Sequence, residues 1–401
     1  MTDDGPLYAG RRDLFAVPDD VAYFNTASMA PVLRASLVAG EEALARRAAP
    51  WDFLARDWFD DSERLRVLAG GLFGGDGEGV ALVPASSYGM AVAARNLADR
   101  VGGAGGRAVL VLDGEYPSGV LTWRRLAADT GAPIVTARRS EGRDWTDAVL
   151  DVLDERVGIV SAPTVHWTDG ARVDLPRIGE RAREVGAALV VDASQSLGAV
   201  PFPLDAARPD LVVAVGYKWL LGPVGRGYLW VAPHLRDGRP LEENWIVRTG
   251  ADDFAALADY SDEYMPGARR FDQGQRSLPE VTPMAIAALE QVLAWRPERI
   301  AAALAEVTGT LVRRLAERGL DPTVPTAERS PHIVGFPVPD AARAGLLGAL
   351  EANGCFASLR GRSLRVAPHL HVTPDDVDRL VASVDVALRD TPAGRPPTVT
   401  R

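Results

Sequence analysis

Seven short apolar runs, each bounded by Gly, Pro or Asp, constrain this chain more than any other feature of its sequence. They are GVALVPAS (79–86), RAVLVLDGEY (107–116), APIVTARR (132–139), VGIVSAPTV (157–165), AALVVDAS (187–194), DLVVAVGYK (210–218) and GYLWVAP (227–233). Each is apolar at nearly every position rather than at every second one, the pattern of a strand buried on both faces. Between most of them lie helical patterns: Ser87 to Ala98, Ser118 to Asp129, Trp145 to Glu155 and Leu175 to Val185. Strand and helix in alternation predict an α/β unit, a mainly parallel sheet with helices on both faces. Only a short Gly/Pro-rich segment joins the last two runs. It is too brief for a crossover, so those strands should be antiparallel and the sheet mixed.

The character changes after about residue 265. Helical stretches from Pro283 to Trp295 and from Glu298 to Arg318 precede the run HIVGFPVP, a helix near Asp340 to Asn353, strands CFASLR and SLRVAP, and a closing helix from Pro374 to Leu388. The expected organisation is an N-terminal arm (1–20), a large domain (21–265), a smaller C-terminal α+β domain with its linking helix (266–390) and a disordered tail (391–401). A length of 401 residues suits two such cores. The formal charge of -10 makes nucleic acid an unsuitable partner. With no long apolar run, neither a membrane span nor a secretory signal is expected, and the protein should stay in the cytoplasm. A single cysteine and five scattered histidines predict neither a disulfide framework nor a metal site.

The densest chemical signal is VDASQSLGAVPFPLDAARPDLVVAVGYKWLLGPVGRGYLWVAP, residues 191–233. Asp192 closes one expected strand and Lys218 the next, 26 positions later (218 minus 192). Ligands of open α/β sheets sit beyond the carboxyl ends of the strands, so the two side chains can share one crevice. There they either link two strands as an ion pair or serve a ligand. The segment resembles the class V, fold-type I enzymes that use pyridoxal 5'-phosphate, which carry D-x-x-Q on one strand and, on the next, a lysine followed by an aromatic residue and G-P-x-G. The resemblance implies that Lys218 is the Schiff-base lysine, Asp192 the partner of the pyridinium nitrogen and Gln195 the donor to the cofactor's phenolic oxygen.

Other stretches extend the resemblance. In PASSYGMAVAARNL (84–97), Ser86 and Ser87 stand where the family grips the cofactor phosphate at a helix start, although two serines there can also be an ordinary cap. LDGEYPSGVLTW (112–123) offers Tyr116 at the place of the ring that stacks on the pyridine face, and Tyr217 is similar to the phosphate-contacting tyrosine of kynureninases. PGARRFDQGQRS (266–277) resembles a loop that reaches the partner subunit's phosphate, with Gln275 where threonine is common; this implies a homodimer with shared active sites. Arg365, in RGRSLRVAPHLHVT (360–373), matches the arginine that takes the substrate carboxylate, a role for which Arg360 and Arg362 compete. Asn25, in VAYFNTASMAP (21–31), matches a pocket residue or is a simple turn asparagine. His166, in SAPTVHWTDGARVDL (161–175), is a pocket candidate, though a lone histidine after a strand is more often structural.

The implied substrate is a small amino acid or amino-acid conjugate whose Cα proton passes to Lys218. An aminotransferase is expected first, a β-eliminating C–S lyase or an epimerase acting on a cysteine-type conjugate second, and a PLP-fold binding module without turnover third. Persulfide transfer is not expected, because the loop that carries the reactive cysteine of desulfurases is shortened to RGRS. Cys355 falls on the preceding strand, where it reads as a small buried hydrophobe.

Overall fold

The computed structural model describes residues 11–103, 106–140 and 142–389. The first ten residues of the expected arm and the expected disordered tail at 391–401 lie outside the described residues. In chain order the elements are β1 (Ala22–Tyr23), α1 (Arg34–Arg47), α2 (Asp60–Phe73), β2 (Val80–Val83), α3 (Ser86–Leu97), β3 (Ala108–Leu112), α4 (Ser118–Thr130), β4 (Ile134–Ala137), α5 (Trp145–Leu150), β5 (Val157–Pro163), α6 (Leu175–Val185), β6 (Ala188–Asp192), α7 (Leu204–Ala207), β7 (Leu211–Val215) and β8 (Gly227–Val231). They continue with α8 (Thr282–Trp295), α9 (Pro297–Ala316), β9 (Val334–Pro337), α10 (Asp340–Ala352), β10 (Cys355–Phe356), β11 (Ser358–Arg360), β12 (Ser363–Val366) and α11 (Pro374–Arg389). Two compact units emerge among the described residues: 32–167 with 171–298, and 11–31 with 168–170 and 299–389.

The first unit is built on a seven-stranded sheet in the order β2-β8-β7-β6-β5-β3-β4. Each apolar run of the sequence supplies one strand. β7, β6, β5, β3 and β4 run parallel, and β8 is antiparallel both to β7 and to the edge strand β2. The expected mixed sheet is present, and its strands are buried on both faces except for the edge strand β4, which is half-buried at Ile134, Val135 and Thr136. The seating of α3 matters for the site. Gly89 faces the sheet so closely that a Cβ there would lie 2.6 Å from Val213 Cγ2, so glycine at this position lets the helix lie against β7.

The second unit holds the three-stranded antiparallel sheet β11-β12-β9, the helices packed on it, and a parallel pair between β1 and β10. The grouping corrects the expected boundaries in two places. Residues 266–298 join the seven-stranded unit, because buried Asp272 accepts the Leu82 amide at 2.8 Å and Arg66 Nη1 at 2.9 Å. Residues 21–31 join the C-terminal unit, because Ala22 and Tyr23 pair with Cys355 and Phe356 and the Thr26 amide donates to the Ala367 carbonyl at 3.0 Å.

Candidate active site

The carboxyl ends of β5, β6 and β7 lie side by side, with Pro163 opposite Asp192 and Asp192 opposite Val213. Beyond them lies a cavity of about 130 Å³ whose wall includes Asp192, Gln195, Tyr217 and Lys218, together with Ser86, Ser87 and Tyr116. The residues that close sequence-distant strands therefore converge, as the strand-end rule predicts. Lys218 is 8% exposed and stands on a tight turn after β7, closed by hydrogen bonds from the Gly222 amide to the Gly216 carbonyl (2.9 Å) and from the Leu221 amide to the Lys218 carbonyl (3.1 Å). Its Nζ lies 5.5 Å from the Tyr116 ring centroid and 5.9 Å from that of Tyr217, within cation–π range of both.

Asp192 ends β6, and its Oδ1 accepts the Ser194 amide at 2.8 Å. Burial pushes its pKa upward, against the opposing pull of the Ser194 hydrogen bonds and the Lys218 charge. A buried carboxylate in this condition is held best by a further cationic donor, the kind a protonated pyridine nitrogen supplies. Gln195, 7% exposed, has its carbonyl end fixed by Trp219 Nε1 at 3.1 Å, which sets the orientation of the amide. Ser86 and Ser87 occupy the first two positions of α3, after Ala85 in extended conformation at the cap, so they sit inside the helix and not at its cap. The first-turn amides and the positive helix end give that side of the cavity the chemistry of an anion site. A lysine, a buried carboxylate, stackable rings and a helix start together fit a phosphorylated pyridine aldehyde.

The remaining candidates are placed elsewhere. His166 does not line the cavity; its ring stacks on Trp145 with centroids 4.8 Å apart, and Nε2 lies 3.4 Å from the Asp113 carbonyl. Its neighbour Trp167 takes the place on the wall and meets the Tyr116 ring edge to face at 5.7 Å. Gln275 is exposed on the loop after Asp272 and is not part of the cavity wall. In the other unit, Arg365 is 1% exposed on β12, donating from Nη2 to Ser28 Oγ (2.7 Å) and Asn25 Oδ1 (3.4 Å) and from Nε to Ser358 Oγ (3.2 Å). Burial pushes its pKa down to about 9, and the Arg360 charge adds to the shift. Arg360 Nη2 donates to the same Ser28 hydroxyl at 2.9 Å, whereas Arg362 is turned outward to Asp340. Cys355 is buried beside Ser383, and burial raises its thiol pKa.

Several cavity residues escaped the sequence reading, Ser194 and Glu115 among them. Ser194 is part of the D-x-x-Q run yet was passed over between its neighbours. Glu115 precedes Tyr116 in a polar turn and carries no local sign of burial, although its position at a strand end next to a candidate ring was a usable signal. Among the described residues no helix is long and apolar enough to cross a membrane, and no group of three or more His, Cys, Asp or Glu is arranged to hold a metal ion.

The family model described as aminotransferase class V matches residues 65–366. The chain is 28% identical over 384 residues to the isopenicillin N epimerase of Streptomyces clavuligerus, covering 91% of this chain and 94% of that one. Its fold is similar to that of C-DES. A C-DES mutant with glycine covalently linked to the PLP cofactor aligns with a TM-score of 0.83 at 18% identity, covering 94% of this chain and 98% of the other. The complex of the cystine C–S lyase C-DES with its reaction product cysteine persulfide aligns with a TM-score of 0.81 at 18% identity, covering 92% and 98%. The matched span runs from α2 through the strand ends around the cavity to β12, and with it the chain belongs to the class V aminotransferase family, enzymes of fold type I whose cofactor is pyridoxal 5'-phosphate.

Proposed function

We propose that this enzyme moves a proton at Cα of a small amino acid or amino-acid conjugate, with Lys218 as the proton carrier and amino-group transfer as the outcome. The observation that carries the reading is the convergence of Lys218, Asp192 and the start of α3 on one cavity. Bound pyridoxal phosphate supplies an aldehyde for an amine and a ring that takes up electrons from Cα. Lys218 would hold the cofactor's aldehyde through its amine, and its Nζ, once free, would be the group placed to take the Cα proton. Asp192 would pair with the protonated pyridine nitrogen, a cation that would oppose the upward shift burial imposes on its carboxyl. Gln195 would donate its amide to the phenolic oxygen, Tyr116 would stack on the ring, and Ser86, Ser87 and Tyr217 would hold the phosphate.

For the substrate we infer that Arg365 receives the carboxylate, with Asn25 and Ser28 orienting the guanidinium. Burial and the nearby charge of Arg360 both lower the pKa of this arginine, and an arriving anion would offset both effects. We also infer a homodimer in which the loop bearing Gln275 reaches the partner subunit's site, supported by the exposure of Gln275 on a loop whose base is locked by Asp272 and Arg276. The substrate is a small molecule in this reading, and Cys355, buried with a raised thiol pKa, takes no part in sulfur transfer.

A second reading, β-elimination or epimerisation of a cysteine-type substrate, is favoured by the nearly full-length similarity to isopenicillin N epimerase and by the fold shared with C-DES. One experiment separates the two. The purified protein reconstituted with pyridoxal phosphate is offered a panel of amino acids and cysteine S-conjugates, with and without a keto-acid acceptor, and read by cofactor absorbance and product mass. Amino transfer that depends on the acceptor supports the first reading. Pyruvate and ammonia, or inverted Cα, without acceptor supports the second. Borohydride reduction that fixes the cofactor equally well in Lys218→Ala would remove Lys218 from both.

A further inference from the structure

The cavity contains a carboxyl group for which the chemistry above has no task. Glu115 follows Gly114 (φ 66°) in the turn after β3, and its Oε1 accepts the Tyr116 amide at 2.5 Å. Its Oε2 is buried without a hydrogen-bond partner in the protein. Gly119 lies against the side chain, where a Cβ would stand 3.4 Å from Glu115 Cγ, an ordinary contact. One oxygen is thus fixed, and the other belongs to a residue on the wall of the cavity that holds Lys218. Buried polar atoms without partners are rare, and one in a ligand cavity is explained most simply by a ligand that completes it.

We propose that Glu115 is a second proton-transfer residue of this enzyme, acting through Oε2 on the substrate bound beside Lys218. The inference rests on the reading that the cavity holds pyridoxal phosphate and deepens it. The titratable groups that face Glu115 come from three neighbouring strand ends: His166 after β5, Asp192 at the end of β6 and Lys218 after β7. Burial dominates and pushes the carboxyl up to about 7; the Tyr116 amide and the His166 and Lys218 charges pull it down, and Asp192 pushes it up. Such a group can carry a proton at neutral pH and still give it away, which general acid catalysis requires. The step balances: Lys218 takes the Cα proton, Glu115 gives its proton to a second atom of the substrate, and exchange with water restores both. That second atom is a departing β-substituent, whose bond to Cβ breaks as it is protonated, or Cα itself from the opposite face. Either use assigns the site to substrates that need a proton delivered at a second point.

The test uses the isosteric variant Glu115→Gln, the neutral mimic of the protonated acid. Difference infrared spectra of the apo-protein should show a protonated-carboxyl stretch that disappears with a midpoint near 7 and is missing in the variant. In the holoenzyme, kcat/KM should fall as pH rises through that midpoint. The variant should lose this dependence and roughly 100-fold or more of its turnover while keeping the cofactor band. Identical infrared titrations in the two proteins, or unchanged turnover in the variant, would overturn the proposal. Should wild-type protein never acquire a cofactor band, the reading beneath it fails as well, and that failure is seen in the absorbance alone.

Discussion

Acidification should weaken the C-terminal unit through one histidine, and by a calculable amount. His371 is 0% exposed; its Nε2 lies 2.8 Å from the Tyr23 carbonyl and its ring meets Phe15 edge to face at 5.3 Å. Burial depresses its pKa from 6.5 to about 4, the Tyr23 hydrogen bond opposing the shift and the Arg12 charge adding to it. A histidine whose folded pKa lies below its unfolded one is charged first in the unfolded chain. Its contribution is therefore present above the unfolded pKa and is lost as pH falls from 6.5 towards 4. Integration over the 2.5 units gives a loss of about 3 kcal/mol in full, of which about 2 kcal/mol falls between pH 7 and pH 5. Buried His369 shifts in the same direction, whereas Glu115 opposes it, because its raised pKa favours the folded state as pH falls. The informative quantity is accordingly the difference between wild type and His371→Gln, which keeps an amide donor for the Tyr23 carbonyl but cannot titrate. Denaturant unfolding followed by tryptophan fluorescence at several pH values should show the variant losing about 2 kcal/mol less than wild type over that interval. Parallel curves would refute the reasoning. Arg365, the proposed carboxylate-binding arginine, should feel the same change, since Tyr23 lies two residues before Asn25, which accepts from it.

Other expectations follow from contacts already described. Asp272→Asn removes the fully buried counter-charge of Arg66 and Arg276, leaving them the partly exposed carboxylate of Glu63, and should cost about 3 kcal/mol in denaturant unfolding, far more than a surface carboxylate. Gly89→Ala forces α3 away from Val213, costing about 1–3 kcal/mol, and should weaken pyridoxal phosphate binding measured by absorbance titration. Arg365→Lys keeps a charge but loses the fork, and KM for the amino substrate should rise roughly 10- to 100-fold, with kcat less affected. Light scattering in solution should give twice the chain mass, and Gln275→Ala should lower cofactor affinity only in the dimer.

The sequence exposed the parts of this fold that are local. Strands buried on both faces advertise themselves by continuous apolar runs, and the lysine and aspartate could be paired because strand ends in a parallel sheet share one edge. What escaped it was non-local or disguised. The edge strand β2 pairs with β8 near residue 230, and no pattern within either run names that partner. The two-residue strand β1 finds β10 across more than three hundred positions, too short a run to register as a strand. The breaks at 266–298 and 21–31 were misplaced because a buried ion pair and two carbonyl contacts, not composition, decide where those segments belong. Glu115 was overlooked because a glutamate in a Gly-rich turn reads as solvated until the surrounding strand ends are assembled.

The pairing of β1 with β10 also imposes an order on how this molecule can be made. Phe15 and Phe24, both 0% exposed, leave the ribosome more than three hundred residues ahead of their partners: Phe24 donates its amide to the Phe356 carbonyl and Phe15 packs on His369 and His371. The seven-stranded unit can collapse as soon as residue 298 has emerged, while these aromatic residues must wait for the strands and helices of 299–389. During that delay they are sticky, unhoused segments, so the vulnerable moment in the protein's life falls before residues 356–371 have been made.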